Sequence, residues 1–250
     1  MLKIVRALNP TSFQKEVLAF LCRHEAENNL ILGVLQTLAT GPFSPQQPPV
    51  LAKILREDSL RGLLVMNAPH AMLLSQLSQI DASNLADLVC REGMQPPGVT
   101  AHADTAQQFA DHWCALTQQA QELFMRLRLF QLQHVQAPRL PLGHARFAEP
   151  TEVPILVRMI QEFSAEAMAG PVGETLHDLV AFGVKSQKYL IWDLDGEIVS
   201  MAAKARTTPN GAAISSVYTP PAYRGRGFAS ACVADLAPSA PKGMAPQKPR

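Results

Sequence analysis

The richest run of chemically capable residues is Thr219-Pro220-Pro221-Ala222-Tyr223-Arg224-Gly225-Arg226-Gly227-Phe228-Ala229-Ser230. An apolar stretch ending at Ser216-Val217-Tyr218 precedes it, and an apolar helical pattern through Cys232, Val233 and Leu236 follows, which predicts the order strand, glycine-rich turn, helix. Glycines let a backbone approach a ligand without Cβ obstruction, and the unpaired amides at a helix start can converge on phosphate oxygens. Arg224 and Arg226 would add or screen charge at the same place. The spacing therefore supports an anion or phosphate cradle, beside the plainer reading that Gly225 and Gly227 only shape a tight turn. A dinucleotide fingerprint needs GxGxxG, of which Gly225 and Gly227 supply two positions, and the Lys-Ser/Thr pair of a P-loop is missing.

Other candidate chemistry is weaker. Cys22, Cys90, Cys114 and Cys232 form no CxxC pair, so neither a zinc knuckle nor a redox dithiol is encoded, and Cys232 reads as a packed helix residue. The histidines His24, His70, His102, His112, His134, His144 and His177 contain no HExxH spacing, and a site at His102, Asp104 and His112 would need a further ligand and a geometry the sequence does not establish, so no metal is expected. A GxSxG serine elbow is also missing.

The elements that must hold the glycine-rich turn form a meander. Tyr189–Trp192 predicts a strand ending in the turn Asp193-Leu194-Asp195-Gly196. Glu197–Ala205 returns, Thr207–Gly211 turns again, and Ala213–Val217 is the third strand. Upstream, Arg146-Phe147-Ala148 predicts a strand and Thr151–Ala169 a helix with Pro154 in its first turn, where the missing amide matters little. A short helix is expected over Glu174–Phe182.

Earlier in the chain, Thr11 or Ser12 with Gln14 suits a capped first helix, and Leu30–Leu38 a second helix that Gly41-Pro42 stops. Leu60–Met66 and Ala71–Leu74 read as two strands flanking Asn67-Ala68-Pro69-His70, followed by helices over Ser83–Arg91 and Thr105–Gln118. From Leu123 to Gln133, Met125, Leu127 and Leu129 alternate with Arg126, Arg128 and Phe130, the period of a strand with one buried face. Pro138, Pro141 and Gly143 then mark a linker. The expected division is an α+β domain over 1–137, a linker over 138–144, a second domain over 145–236 and a proline-rich basic tail over 237–250.

With 250 residues, 47% of them apolar, 17% charged and a net charge of +1, the chain fits an ordinary globular protein rather than a fibrous or disordered one, and its mixture of strands and helices makes α/β the expected fold class. Seven of the 22 Lys and Arg but one of the 21 Asp and Glu fall after residue 200. Without interleaved aromatics this basic end is a weak nucleic-acid signal, and no nucleic-acid partner is expected. No apolar run is long enough to span a bilayer and no secretory leader is apparent, so the expected location is cytoplasmic, away from membranes.

Arg224-Gly225-Arg226-Gly227-Phe228-Ala229 resembles, position for position, the Arg/Gln-x-x-Gly-x-Gly/Ala motif of the GNAT superfamily of acyl-CoA-dependent N-acetyltransferases. Val217–Tyr223 is similar to the strand and loop leading into that turn, and Phe228–Leu236 to the helix after it. The likeness extends loosely over residues 145–236, and the surroundings of Glu25-Ala26-Glu27-Asn28-Asn29-Leu30 resemble the N-terminal region of bacterial two-part members, a degenerate GNAT-like unit.

The resemblance implies a mixed-sheet GNAT-like fold that takes acetyl-CoA as acyl donor and a primary amine of a small molecule or peptide as acceptor. Backbone amides of Gly225, Arg226, Gly227, Phe228 and Ala229 would face the CoA diphosphate, with Arg224 and Arg226 on the cofactor side. Val217 and Thr219 would line the pantetheine and acetyl group. An unprotonated amine would attack the thioester directly, with Glu162, Glu166, Glu174 and Glu197 as carboxylates available for its proton and none of them singled out.

The pattern departs from the family after Leu236, where Pro238, Pro241, Pro246 and Pro249 replace the further strand and helix, so the domain is expected to be C-terminally incomplete. The bare sheet edge would be met by a second copy in a homodimer or by the N-terminal domain, or else the chain would be a catalytically inactive interaction module.

Overall fold

The computed structural model describes residues 1–40, 47–167 and 175–237, and the chain divides into two units, Met1–Phe130 and Gln131–Arg250. The proline-rich end from Pro238, and Glu174 with its neighbours, lie outside the described residues.

In the first unit, β1 (Leu2–Ala7) leads into α1 (Pro10–Leu21) and α2 (Asn29–Thr40). The antiparallel β2 (Val50–Arg56), β3 (Ser59–Met66) and β4 (Met72–Leu74) follow, then α3 (Gln79–Arg91), β5 (Val99–Thr100) and α4 (Ala103–Thr117). The sheet order is β1-β2-β3-β4-β5, with β5 parallel to β4. Side chains of adjacent strand residues point to opposite faces, and both faces are covered. Leu51, Leu63 and Val65 pack with Phe13, Val17, Leu21 and Leu35 of α1 and α2. Ile54, Leu64 and Leu74 pack with Leu85 and Val89 of α3 and Phe109 and Trp113 of α4.

The second unit repeats the opening order of the first. β6 (His144–Phe147) leads into α5 (Val153–Glu166) and α6 (Leu176–Lys185). Three antiparallel strands follow, β7 (Tyr189–Leu194), β8 (Glu197–Thr208) and β9 (Gly211–Tyr218), and then α7 (Phe228–Leu236). Its described sheet runs β6-β7-β8-β9. Along β7, Ile191 faces Leu156, Met159, Val180 and Val184 of α5 and α6, whereas Leu190 and Trp192 face Phe228, Ala231, Cys232 and Leu236 of α7. Burial on both faces explains why β7 and β8 read as continuous apolar runs rather than as a strict alternation.

Several boundaries differ from the sequence expectation for identifiable reasons. The first helix is capped by Asn9, whose side chain accepts the Ser12 amide, with Pro10 in the first turn, so neither Thr11 nor Ser12 is the cap. The helix α3 starts four residues earlier than Ser83 because Ser78 caps it through the Asp81 amide. Residues 123–133 form no strand despite their period-two pattern. Gln118 ends α4 in the left-handed conformation, no neighbouring strand supplies hydrogen-bond partners beyond it, and Leu127 and Phe130 are 77% and 85% exposed. The strands β1 and β2 were not anticipated, since each is short and mixes Lys and Arg into its apolar residues.

Candidate functional site

The sheet delivers the glycine-rich turn through an irregularity in β9. Met201 pairs with Tyr218 and Ala203 with Ser215, so β9 holds one more residue than β8 over this stretch, and Ser216 takes φ +50°. This is a β-bulge, which bends the strand end and leaves backbone groups outside the ladder. Ser200 Oγ donates to the Tyr218 carbonyl at 3.1 Å and lies 2.8 Å from Thr219 Oγ1, holding the end of β9 to β8.

A 3-10 turn at Pro221–Tyr223 reverses the chain, after which Gly225 and Gly227 adopt φ +75° and +87°, in the region that L side chains avoid. A Cβ at Gly225 would meet nothing within 4 Å, so it is the backbone conformation and not crowding by protein that requires glycine there. The first amide of α7 to find a carbonyl is that of Ala231, bonded to Gly227 O at 3.0 Å. Among the described residues, the amides of Gly225, Arg226, Gly227, Phe228, Ala229 and Ser230 donate to no protein acceptor. The turn is exposed while Phe228 anchors it in the core, so these six amides sit at the positive end of the α7 dipole beside an open groove.

That groove, of about 620 Å³, runs between the C-terminal turn of α5 and the β9–α7 connection. Seven of the eight residues expected at a donor site line it: Val217, Thr219, Arg224, Gly225, Gly227, Phe228 and Ala229. Arg226 does not, and its guanidinium lies over the Phe228 ring, 5.3 Å from the centroid. Phe163, Ala167, Tyr218, Tyr223 and Ser230 also contribute, none of them signalled by the glycine motif.

Of the described carboxylates, Glu166 is the one that lines the groove. It accepts Arg224 Nη2 at 2.7 and 2.8 Å and the Tyr218 hydroxyl at 3.4 Å, while Arg224 Nε donates to Thr219 O at 2.9 Å. Burial, and then hydrogen bonding with Glu162 and the negative charge of Glu162 and Glu166, raise the Tyr218 phenol against the pull of Arg224, so it stays protonated and able to donate at neutral pH. Glu162, half-exposed on α5, lies 3.9 Å from Arg158, and Glu197 accepts the Tyr223 hydroxyl. Among the described residues no cluster of three His, Cys, Asp or Glu is arranged to hold a metal, and no helix is long and apolar enough to cross a membrane.

The first unit handles the equivalent connection differently. Between β4 and α3 stands Ser75-Gln76-Leu77-Ser78, without glycine. The Ser75 amide bonds Leu63 O at 3.1 Å and the Leu77 amide bonds Thr105 Oγ1 at 3.0 Å, so these donors are used internally.

Residues 157–243 match the model of the acetyltransferase (GNAT) family. Over these residues the chain is similar to GNAT acetyltransferases. No curated protein matches the chain. Among solved structures it is similar to an acetyltransferase from the GNAT family of Colwellia psychrerythraea, at 14% identity and a TM-score of 0.44, covering 92% of this chain and 82% of that one. It is similar also to an integron cassette protein from the mobile metagenome of V. cholerae, at 13% identity and a TM-score of 0.26, covering 53% of this chain and 93% of that one.

Proposed function

We propose that the chain is a cytoplasmic N-acetyltransferase moving an acetyl group from acetyl-CoA to a primary amine of a small molecule or peptide, with residues 145–236 carrying the reaction and 1–137 forming an accompanying domain. The observation that carries this reading is the run of six amides, Gly225 to Ser230, without protein acceptors at the start of α7 and beside an open groove. Such an array suits a diphosphate, and the open space at the Gly225 Cβ position suits close approach. When bound, acetyl-CoA supplies a thioester that an amine opens directly: the C–N bond forms, the C–S bond breaks, and the amine's proton leaves as the thiol is regenerated.

The chain's own residues would position and polarise. The bulge at Ser216 frees backbone beside Val217 and Thr219, where an amide could stabilise developing charge on the thioester oxygen. Arg224 would meet phosphate oxygens, and the protonated Tyr218 hydroxyl would hydrogen-bond within the groove. The test is calorimetric titration with acetyl-CoA. Saturable binding is expected, and Gly227→Val should weaken it about tenfold or more, a loss of at least ~1.4 kcal/mol. Folded wild-type protein that does not bind would overturn the reading.

A further inference from the structure

Arg224 lies over the Tyr218 ring, 5.6 Å from its centroid, and is hydrogen-bonded to two different anchors in the groove. Its Nε reaches the Thr219 carbonyl, while a single terminal nitrogen, Nη2, is divided between both oxygens of Glu166. This is not the parallel two-nitrogen fork that makes Arg–carboxylate pairs strong, and both side chains are about half exposed, at 45% and 50%. The pair is therefore weak enough to exchange. It also sits at an unfavourable place for a carboxylate, because Glu166 is the last residue of α5, whose final turn carries no basic residue to offset the negative end of the helix dipole.

We infer that Glu166 is a positioning residue that holds Arg224 in reserve, releases it to the donor's diphosphate, and then offers its freed carboxylate to the acceptor's ammonium group. The inference rests on the acetyl-CoA reading above and adds to it a coupling between the two substrates. A diphosphate presents more negative charge than one carboxylate, and the guanidinium fork matches phosphate oxygens, so the arriving donor draws Arg224 away. Glu166 then lies in the same groove with the Tyr218 hydroxyl as its remaining partner, and a cationic amine compensates its charge. Donor and acceptor should accordingly favour each other's binding by the same factor, and the acceptor class is a cationic amine.

The experiment compares wild type with Glu166→Gln, both checked for folding by circular dichroism, by titration with CoA and with 1,4-diaminobutane. Removing the competing carboxylate should tighten CoA binding about two- to fivefold, the range an exposed ion pair provides. In wild type, saturating CoA should strengthen 1,4-diaminobutane binding by a similar factor, and Glu166→Gln should abolish that coupling. A merely structural Glu166 would leave CoA affinity unchanged or weaken it. Equal or weaker CoA binding by the variant, or diamine binding indifferent to CoA, overturns this inference and leaves the acetyl-CoA reading standing. If neither folded protein binds CoA, the acetyl-CoA reading itself fails and takes this one with it.

Discussion

Asp193 accepts Arg146 Nε at 2.9 Å through one oxygen and the Gly196 amide at 2.7 Å through the other, joining the β6–β7 ladder to the β7–β8 hairpin. Glu152 accepts the two terminal nitrogens of the same arginine at 2.9 and 2.6 Å. Burial pushes the Asp193 carboxyl up, but Arg146 and the Gly196 amide overcome it and hold it below the usual range. For Glu152 the Arg146 hydrogen bonds are the leading cause of a downward shift. Both folded-state values are depressed, so the stability they add is complete above the unfolded carboxylate range of about 4 and is lost as pH falls through the lowered values. Asp193→Asn should cost about 1–3 kcal/mol at pH 7 and flatten the acid limb of Tm against pH. Thermal unfolding from pH 7 to 3 checks this, and an unchanged acid limb would contradict it.

Gly183 lies on α6 where a Cβ would come 2.5 Å from Cε2 of Tyr189. Replacing helical glycine with alanine ordinarily gains about 1 kcal/mol. Here the rigid phenol ring, half-buried and packed against the core, must be displaced. Gly183→Ala should therefore be destabilising by about 1–3 kcal/mol, with a matching fall in denaturant midpoint. A stabilised variant would show that the ring moves freely.

Gly225 and Gly143 separate conformation from space. Both have positive φ, +75° and +97°, but a Cβ at Gly225 meets open solvent whereas one at Gly143 presses into the Asp193 carbonyl oxygen, beside the Trp192 indole that donates to Leu142 O at 2.8 Å. Gly225→Ala should cost about 1–2 kcal/mol from backbone strain alone. Gly143→Ala should cost distinctly more, because the obstructing atom belongs to the sheet backbone. Chemical denaturation of the two variants side by side measures the difference.

Cys232 is fully buried against the sheet, and burial pushes its thiol up to about 12. Thiolate is then negligible at pH 8, so iodoacetamide should alkylate Cys232 only after unfolding. Peptide mass spectrometry after native labelling would reveal the opposite result.

The sequence was most legible where local patterns coincide with tertiary demand. The apolar spacing through Cys232, Val233 and Leu236 after a glycine-rich turn predicts a helix, and the family resemblance supplies the bounds Phe228–Leu236 that the structure shows. The three strands before it were located by the Asp195-Gly196 and Pro209-Asn210 turns. Patterning failed at Leu123–Gln133, since alternation specifies a face but not the partner that must fill its hydrogen bonds. The groove's far wall was only partly foreseeable. Glu166 stands among four equivalent carboxylates in the sequence, and nothing local marks Phe163 or Tyr218 until α5 is set against the end of β9.

The two units share one opening plan, a strand, two helices, three strands and a helix, yet they spend their backbone donors differently at the last connection. Ser75 and Leu77 have committed theirs inside the protein, whereas Gly225 through Ser230 have not. A chain assembled on a doubled plan should therefore have single stoichiometry: a donor titration should saturate at one equivalent per polypeptide.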